Sequence, residues 1–132
     1  MKKAPRKVYV VDNGFVASKA FSISDNLGRL LENQIFIELI RRGYDVEKTL
    51  FYYRSRNDKE VDFVLRKGTH IECLVQVCYD MSSPKTEKSE VESIVECAGE
   101  LKCNNLVIVT YNDKRIVEKD GYKIDVVPIS EF

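Results

Sequence analysis

The sequence holds no tryptophan, a single histidine, three prolines and six glycines in 132 residues. It also lacks an excess of either charge. Lys plus Arg is 21 and Asp plus Glu is 21, so the net charge is zero. That balance argues against a uniformly basic nucleic-acid coat protein and leaves room for a local basic patch. No long apolar run is present. The longest uncharged stretch, Cys103 to Asn112, is far shorter than the roughly 20 apolar residues of a bilayer-spanning helix. The basic start, Lys2-Lys3, is followed by an apolar run, Val8 to Val11, that stops at Asp12-Asn13, too short for a secretory signal. The expected setting is therefore the cytoplasm, away from membranes.

Other absences narrow the chemistry. There is neither a Gly-x-x-x-x-Gly-Lys-[Ser/Thr] loop nor a Gly-x-Gly-x-x-Gly turn, so this chain offers neither common nucleotide-phosphate cradle. The four cysteines, Cys73, Cys78, Cys97 and Cys103, contain no Cys-x-x-Cys pair, and His70 is the one histidine. They read as free thiols rather than a zinc set. Cys73 and Cys78 are five apart, which on one strand points them to opposite faces.

What is present suffices for a core. Hydrophobic residues make up 44% and charged residues 32%, a globular composition rather than a disordered one. The length predicts one domain, residues 1–132, with residues 1–6 a flexible arm and a core of about residues 7–127. Lys7 to Val11 reads as a strand and Asp12-Asn13-Gly14 as a turn. Leu27, Leu31, Ile35 and Leu39 recur every fourth residue and predict a helix over about 26–42, with Ser24 or Asp25 as N-cap and Gly43 ending it. Thr49–Arg54, Glu60–Arg66 and Ile71–Tyr79 read as an antiparallel meander. A second helix is predicted over about 86–101. Leu106 to Tyr111 follows as a central strand because it carries no charge, then Ile116-Val117 as an edge and Tyr122–Val127 as a last strand. The resulting fold class is α/β, a mixed sheet with helices packed on it.

Polar residues inside apolar strands mark the candidate site. Asp62 interrupts Val61-Phe63-Val64-Leu65, and an unmet carboxylate on a half-buried strand is costly. Strict alternation puts Val61, Phe63 and Leu65 on one face and Glu60, Asp62 and Val64 on the other. It puts Cys73, Val75 and Val77 on one face of the next strand, and Glu72, Leu74, Gln76 and Cys78 on its other face. Glu32 borders the apolar stripe of the first helix. From the residues alone, Asp62 is either a structural carboxylate bonded to a backbone amide or to Arg54, or part of a functional centre. Gln76 reads as a satisfied core amide as readily as a ligand, and Cys78 as core rather than nucleophile.

The α-β-β-β-α-β order, with Asp62 on the second strand and Gln76-Val77-Cys78 on the third, resembles the PD-(D/E)XK restriction-endonuclease-like superfamily. More closely, Lys7–Gly14, Gly28–Asn33, Glu38–Gly43, Glu60–Val64 and Gln76–Asp80 resemble the C-terminal nuclease-like domain of archaeal and bacterial AAA-type ATPases. The resemblance implies a restriction-endonuclease-like sheet flanked by helices and a place beside an upstream or separate ATPase domain. In active superfamily members two acids hold Mg²⁺, which activates water against a phosphodiester, and a lysine orients that water. Carried over, Glu32, Asp62 and Gln76 are the metal positions, Cys78 stands where the lysine would be, and Lys85 or Lys88 is a migrated cation. Glutamine is a weaker Mg²⁺ ligand than a carboxylate, and cysteine carries no ammonium. The expectation is therefore a DNA-binding module with a degenerate or weakened site. The alternatives are an active Mg²⁺-dependent DNA endonuclease, of the kind that resolves Holliday junctions, or a protein-interaction domain for an ATPase. Candidate DNA contacts are Arg54, Arg56 and Lys59 at a hairpin tip beside Tyr52 and Tyr53, Lys85 and Lys88 near the second helix, and the arm Lys2, Lys3, Arg6 and Lys7.

Overall fold

The structure, a computed structural model, describes residues 23–132. The expected strand at Lys7–Val11 and the basic arm lie outside the described residues. Helix α1 spans Ile23–Arg41, strands β1 to β3 span Leu50–Arg54, Glu60–Lys67 and His70–Val77, and helix α2 spans Pro84–Leu101. Strands β4, β5 and β6 span Leu106–Thr110, Arg115–Lys119 and Tyr122–Pro128, and a 3₁₀ turn covers Ile129–Glu131. The six strands form one mixed sheet in the order β1-β2-β3-β4-β6-β5. The pairs β3–β4 and β4–β6 are parallel and the rest antiparallel. The chargeless β4 lies inside the sheet, as its composition predicts, and β5 forms one edge.

One helix covers each face of the sheet. Ile35 and Leu39 of α1 pack with Leu50, Phe63, Leu65, Cys73, Val75 and Val109 on one side. Val91, Ile94, Cys97 and Ala98 of α2 pack with Val64, Leu74, Ile108, Ile124 and Val126 on the other. The fourfold spacing read in the first helix is thus its buried stripe. That helix is already formed at Ile23, the first described residue, so Ser24 and Asp25 lie within it rather than at its cap. Asp25 there suits the positive end of the helix dipole. The second helix also starts early, at Pro84, with Ser83 as N-cap. Proline at N1 needs no donor and its fixed φ already fits the helix, so the helix begins on it rather than after it. Gly43 takes φ +101° directly after α1, the backbone sign that its C-terminal position predicts.

Strict alternation fails at two places, and both matter to the site. In the β1–β2 register Phe51 faces Val64 and Tyr53 faces Val61, so β1 advances two residues while β2 advances three. Strand β2 therefore carries one extra residue at Asp62-Phe63, a bulge. This corrects the expected faces: Val61 joins the α2-side core while Phe63 and Leu65 join the α1-side core. In the β2–β3 register Leu65 faces Cys73 and Arg66 faces Ile71, which puts a second extra residue at Glu72. Glu72 accordingly accepts a 2.7 Å hydrogen bond from the Tyr44 hydroxyl, off the end of α1, and does not share the Gln76 face. Past that bulge the alternation in β3 holds. Cys73, Val75 and Val77 face the α1 side, and Leu74 and Cys78 the α2 side. All four cysteines are free thiols.

Candidate functional site

The site grows from the bulge in β2. The β2–β3 ladder runs from Lys67↔His70 to Phe63↔Val75, while β3 goes on pairing with β4 through Gln76↔Ile108 and Val77↔Val109. Where the β2–β3 ladder ends, side chains take over its role. The Val77 N–H donates to Oδ2 of Asp62 at 2.9 Å, and the Asp62 N–H donates to Oε1 of Gln76 at 2.9 Å. Gln76 is buried, and its Nε2 donates to Oε1 of Glu90 on α2 at 3.0 Å. The amide thus ties β2, β3 and α2 together and uses both of its ends to do so. The structural alternative for Asp62 named a backbone amide or Arg54. The amide of Val77 is found, whereas Arg54 pairs with Glu60 at 3.2 Å and Asp58 at 4.0 Å.

Glu90 is the residue that sequence reasoning missed. A faint signal exists, since Glu90 stands four before Ile94 and seven before Cys97, on the buried stripe of α2. Burial pushes its carboxyl above the usual range, and the nearby Asp62 adds to this, against the opposing effect of the Gln76 hydrogen bond. Burial likewise pushes the Cys78 thiol up to about 12, with Glu90 as the next cause. Its Sγ lies 3.4 Å from the carbonyl oxygen of Asp80. Cys78 is therefore a neutral thiol near neutral pH, and the neutral form is a poor nucleophile.

A group whose pKa is raised by folding favours the folded state while protonated. Its contribution is present below the unfolded carboxylate range and is lost as pH rises through the folded pKa. Glu90→Gln keeps an acceptor for Gln76 and removes the titration. The variant is expected to gain thermal stability relative to the parent as pH rises from about 4 to neutrality. Melting curves across that range check it, and a constant difference between the two proteins would contradict the buried carboxyl.

The remaining candidates are spread out. Glu32 is partly buried on α1, and among the described residues no group of three His, Cys, Asp or Glu side chains converges to hold a metal ion. The hairpin tip between β1 and β2 is clasped to α2 by acids. Glu96 accepts from the Ser55 hydroxyl and from Asn57 Nδ2 at 3.1 Å. Glu100 accepts from the Tyr53 hydroxyl at 2.6 Å and the Arg56 N–H at 3.1 Å. These donors hold both carboxyls below their ordinary range. Arg54, Arg56 and Lys59 thus lie among Asp58, Glu60, Glu96 and Glu100. By contrast Lys85 and Lys88, on the first two turns of α2, are exposed and pair with no acid among the described residues. Between them, Glu87 is taken by Arg115, which also bonds Asp113 at 3.0 Å and the Met81 carbonyl at 3.0 Å.

No described helix is long and apolar enough to cross a membrane, which leaves β-barrels unaddressed. An uncharacterised protein of Methanocaldococcus jannaschii is 39% identical over 128 residues, which cover 92% of this chain and 28% of that protein. An uncharacterised protein of Haemophilus influenzae is 37% identical over 79 residues, 60% of this chain and 18% of its own length. The chain thus spans well under a third of either relative. A structure of Thermococcus gammatolerans McrB AAA+ hexamers with bound McrC matches at 15% identity and a TM-score of 0.45, over 78% of this chain and 28% of that one. The family described as Domain of unknown function (DUF4143) matches residues 27–132, a span that includes Asp62, Gln76, Cys78 and Glu90, and the chain belongs to that family.

Proposed function

We propose that this domain is a nuclease-like module of an ATPase system that contacts DNA without cutting it, its phosphodiester site having become a brace across the sheet. One observation carries the reading. Gln76 stands at the position of the superfamily's second acid, and both ends of its amide are already engaged, by the Asp62 N–H and by Glu90. A Mg²⁺ site needs ionised oxygen donors free to turn toward the ion. Here one Asp62 oxygen serves the Val77 N–H, burial raises the Glu90 carboxyl above its usual range, and Cys78 carries no positive charge. This donor set does not fit Mg²⁺, so no catalytic step is assigned to it.

The DNA-contacting part of the reading is supported by Lys85 and Lys88. Cations near a helix N-terminus oppose the helix dipole, so Lys85 in the first turn does not serve helix stability. A phosphate beside it would gain from both the ammonium and the dipole. The hairpin cations make weaker candidates because acids of the same region offset them. The place beside an ATPase is supported by the sequence resemblance, and the cytoplasmic setting by the lack of a signal-like or membrane-spanning run in the sequence.

The test is a cleavage assay with Mg²⁺ and Mn²⁺ on supercoiled, linear and four-way-junction DNA, with gel-shift lanes in EDTA that include a single-stranded oligonucleotide. The expected outcome is no cutting and a shift that weakens steeply with salt. Metal-dependent cutting that Asp62→Ala abolishes would establish the active-endonuclease alternative. No cutting and no shift would favour the protein-interaction domain.

A further inference from the structure

We propose that Tyr79 and Tyr111 form a stacking platform for an unpaired base, so that the DNA taken by this module is single-stranded. The proposal rests on the DNA-contacting reading above and names the form of DNA.

Tyr79 follows β3 and Tyr111 follows β4. The parallel pairing extends past both strand ends, through Cys78 N–H to Val109 and Tyr111 N–H to the Tyr79 carbonyl at 3.1 Å. The two tyrosines therefore stand side by side at the C-terminal edge of the sheet. Their rings stack with centroids 5.1 Å apart and planes 20° from parallel. Tyr111 remains 54% exposed, the second most exposed of the large hydrophobic residues described. An aromatic ring already held flat by a second ring loses little freedom on meeting a ligand, and a nucleobase presents a matching π-face whatever its identity.

The phosphate-binding groups are brought to the same edge by Arg115. This residue lies four positions after Tyr111 and bonds the carbonyl of Met81, two positions after Tyr79. It also pairs with Asp113 in the turn after Tyr111 and with Glu87 on α2. Arg115 thus pins the start of α2 to the turn that follows the tyrosine pair and neutralises the acids lying between them. Asp80, the next acid, accepts the Ser82 N–H at 2.9 Å. Among the described residues, Lys85 and Lys88 at the start of α2 pair with no acid. A ring platform at one end of the sheet, with ammonium groups on the helix that starts at that end, offers a single strand a base partner and a charge for its backbone. In a duplex the bases are already stacked and have no face to offer.

The absence of tryptophan makes the test direct, because tyrosine emission is read without a brighter reporter over it. Binding of the 132-residue chain is measured by anisotropy with labelled oligothymidylate of about 15 nucleotides and with a duplex of equal length. The single strand should bind more tightly and quench tyrosine emission. Tyr111→Ala should weaken it on the order of tenfold with little change in the salt slope, whereas Tyr111→Phe should keep most of the affinity. Lys88→Ala should instead reduce the salt slope by about 1. Circular dichroism melting confirms that each variant is folded, and the Phe variant preserves the ring in any case. Duplex binding equal to or tighter than single-strand binding, or a folded Tyr111→Ala that binds like the parent, would overturn the platform while leaving DNA contact standing. Binding of neither probe would overturn the DNA-contacting reading itself.

Discussion

Replacing Gln76 by Glu is expected to cost about 3 kcal/mol of stability at neutral pH, because it puts an uncompensated charge into a buried position. Gln76 is 7% exposed, and its Nε2 is the donor that meets Glu90. Glutamate has the shape but not the donor, so acceptor would face acceptor. The new carboxylate would also stand beside Asp62, whose N–H bonds the amide oxygen in the parent. Burial and two neighbouring acids would raise the new group's folded pKa above its unfolded value. The variant should therefore approach the parent in stability below about pH 4 and fall progressively behind as pH rises through the folded value. Melting midpoints of both proteins across that range check the prediction. Equal midpoints at neutral pH would mean that Gln76 is not held between Asp62 and Glu90. A midpoint of the variant restored by Mn²⁺, with no effect on the parent, would show that a single exchange separates the brace from a cation site.

Phe63→Ala is expected to cost about 3–5 kcal/mol, the range for removing a buried aromatic and leaving a cavity. Phe63 is 1% exposed and fills the α1-side core with Ile35, Leu39, Val75 and Val109. It is also the second residue of the bulge, and its insertion into that core helps to hold the neighbouring Asp62 carboxylate where the Val77 N–H can reach it. Against a total stability of order 5–15 kcal/mol, such a loss would leave the domain marginal. Urea denaturation measures it, with Phe63→Leu as the volume-sparing control that should cost much less. A loss below about 1.5 kcal/mol for the alanine variant would mean that the α1-side core relaxes into the space, a weaker packing than its burial implies.

Both predictions turn on the bulge at Asp62-Phe63, and nothing in the run Glu60 to Leu65 announces it. A bulge is a property of two strands in register, and the extra residue is visible only when Phe51↔Val64 and Tyr53↔Val61 are set side by side. The same holds for Glu72, which alternation assigns to the Gln76 face and the register moves to Tyr44. Asp62 and Gln76 were legible as candidates because a polar residue in an apolar strand must be met by something. What meets them was not legible, since their partners lie fourteen and fifteen positions away in sequence. Lys85 and Lys88 are legible in the sequence as possible cations. The residue that makes their surroundings favourable, Arg115, bonds across thirty-four positions to Met81.

The sequence by itself determined the class of fold, because local periodicity is a one-chain property. The fourfold spacing of Leu27, Leu31, Ile35 and Leu39 requires a helix with one buried stripe. The alternation of Cys73, Val75 and Val77 requires a strand covered on that face, and the chargeless run Leu106 to Thr110 requires an interior strand. Asp62, Gln76 and Cys78, polar or weakly polar residues set in apolar strands, were legible there too. Only the tertiary structure decided what those residues do. Free energy in the interior depends on whether each buried polar atom finds a partner, and the partners come from separate elements: Val77 for Asp62 and Glu90 for Gln76. Those pairings arise when the chain closes on itself, and no local pattern encodes them.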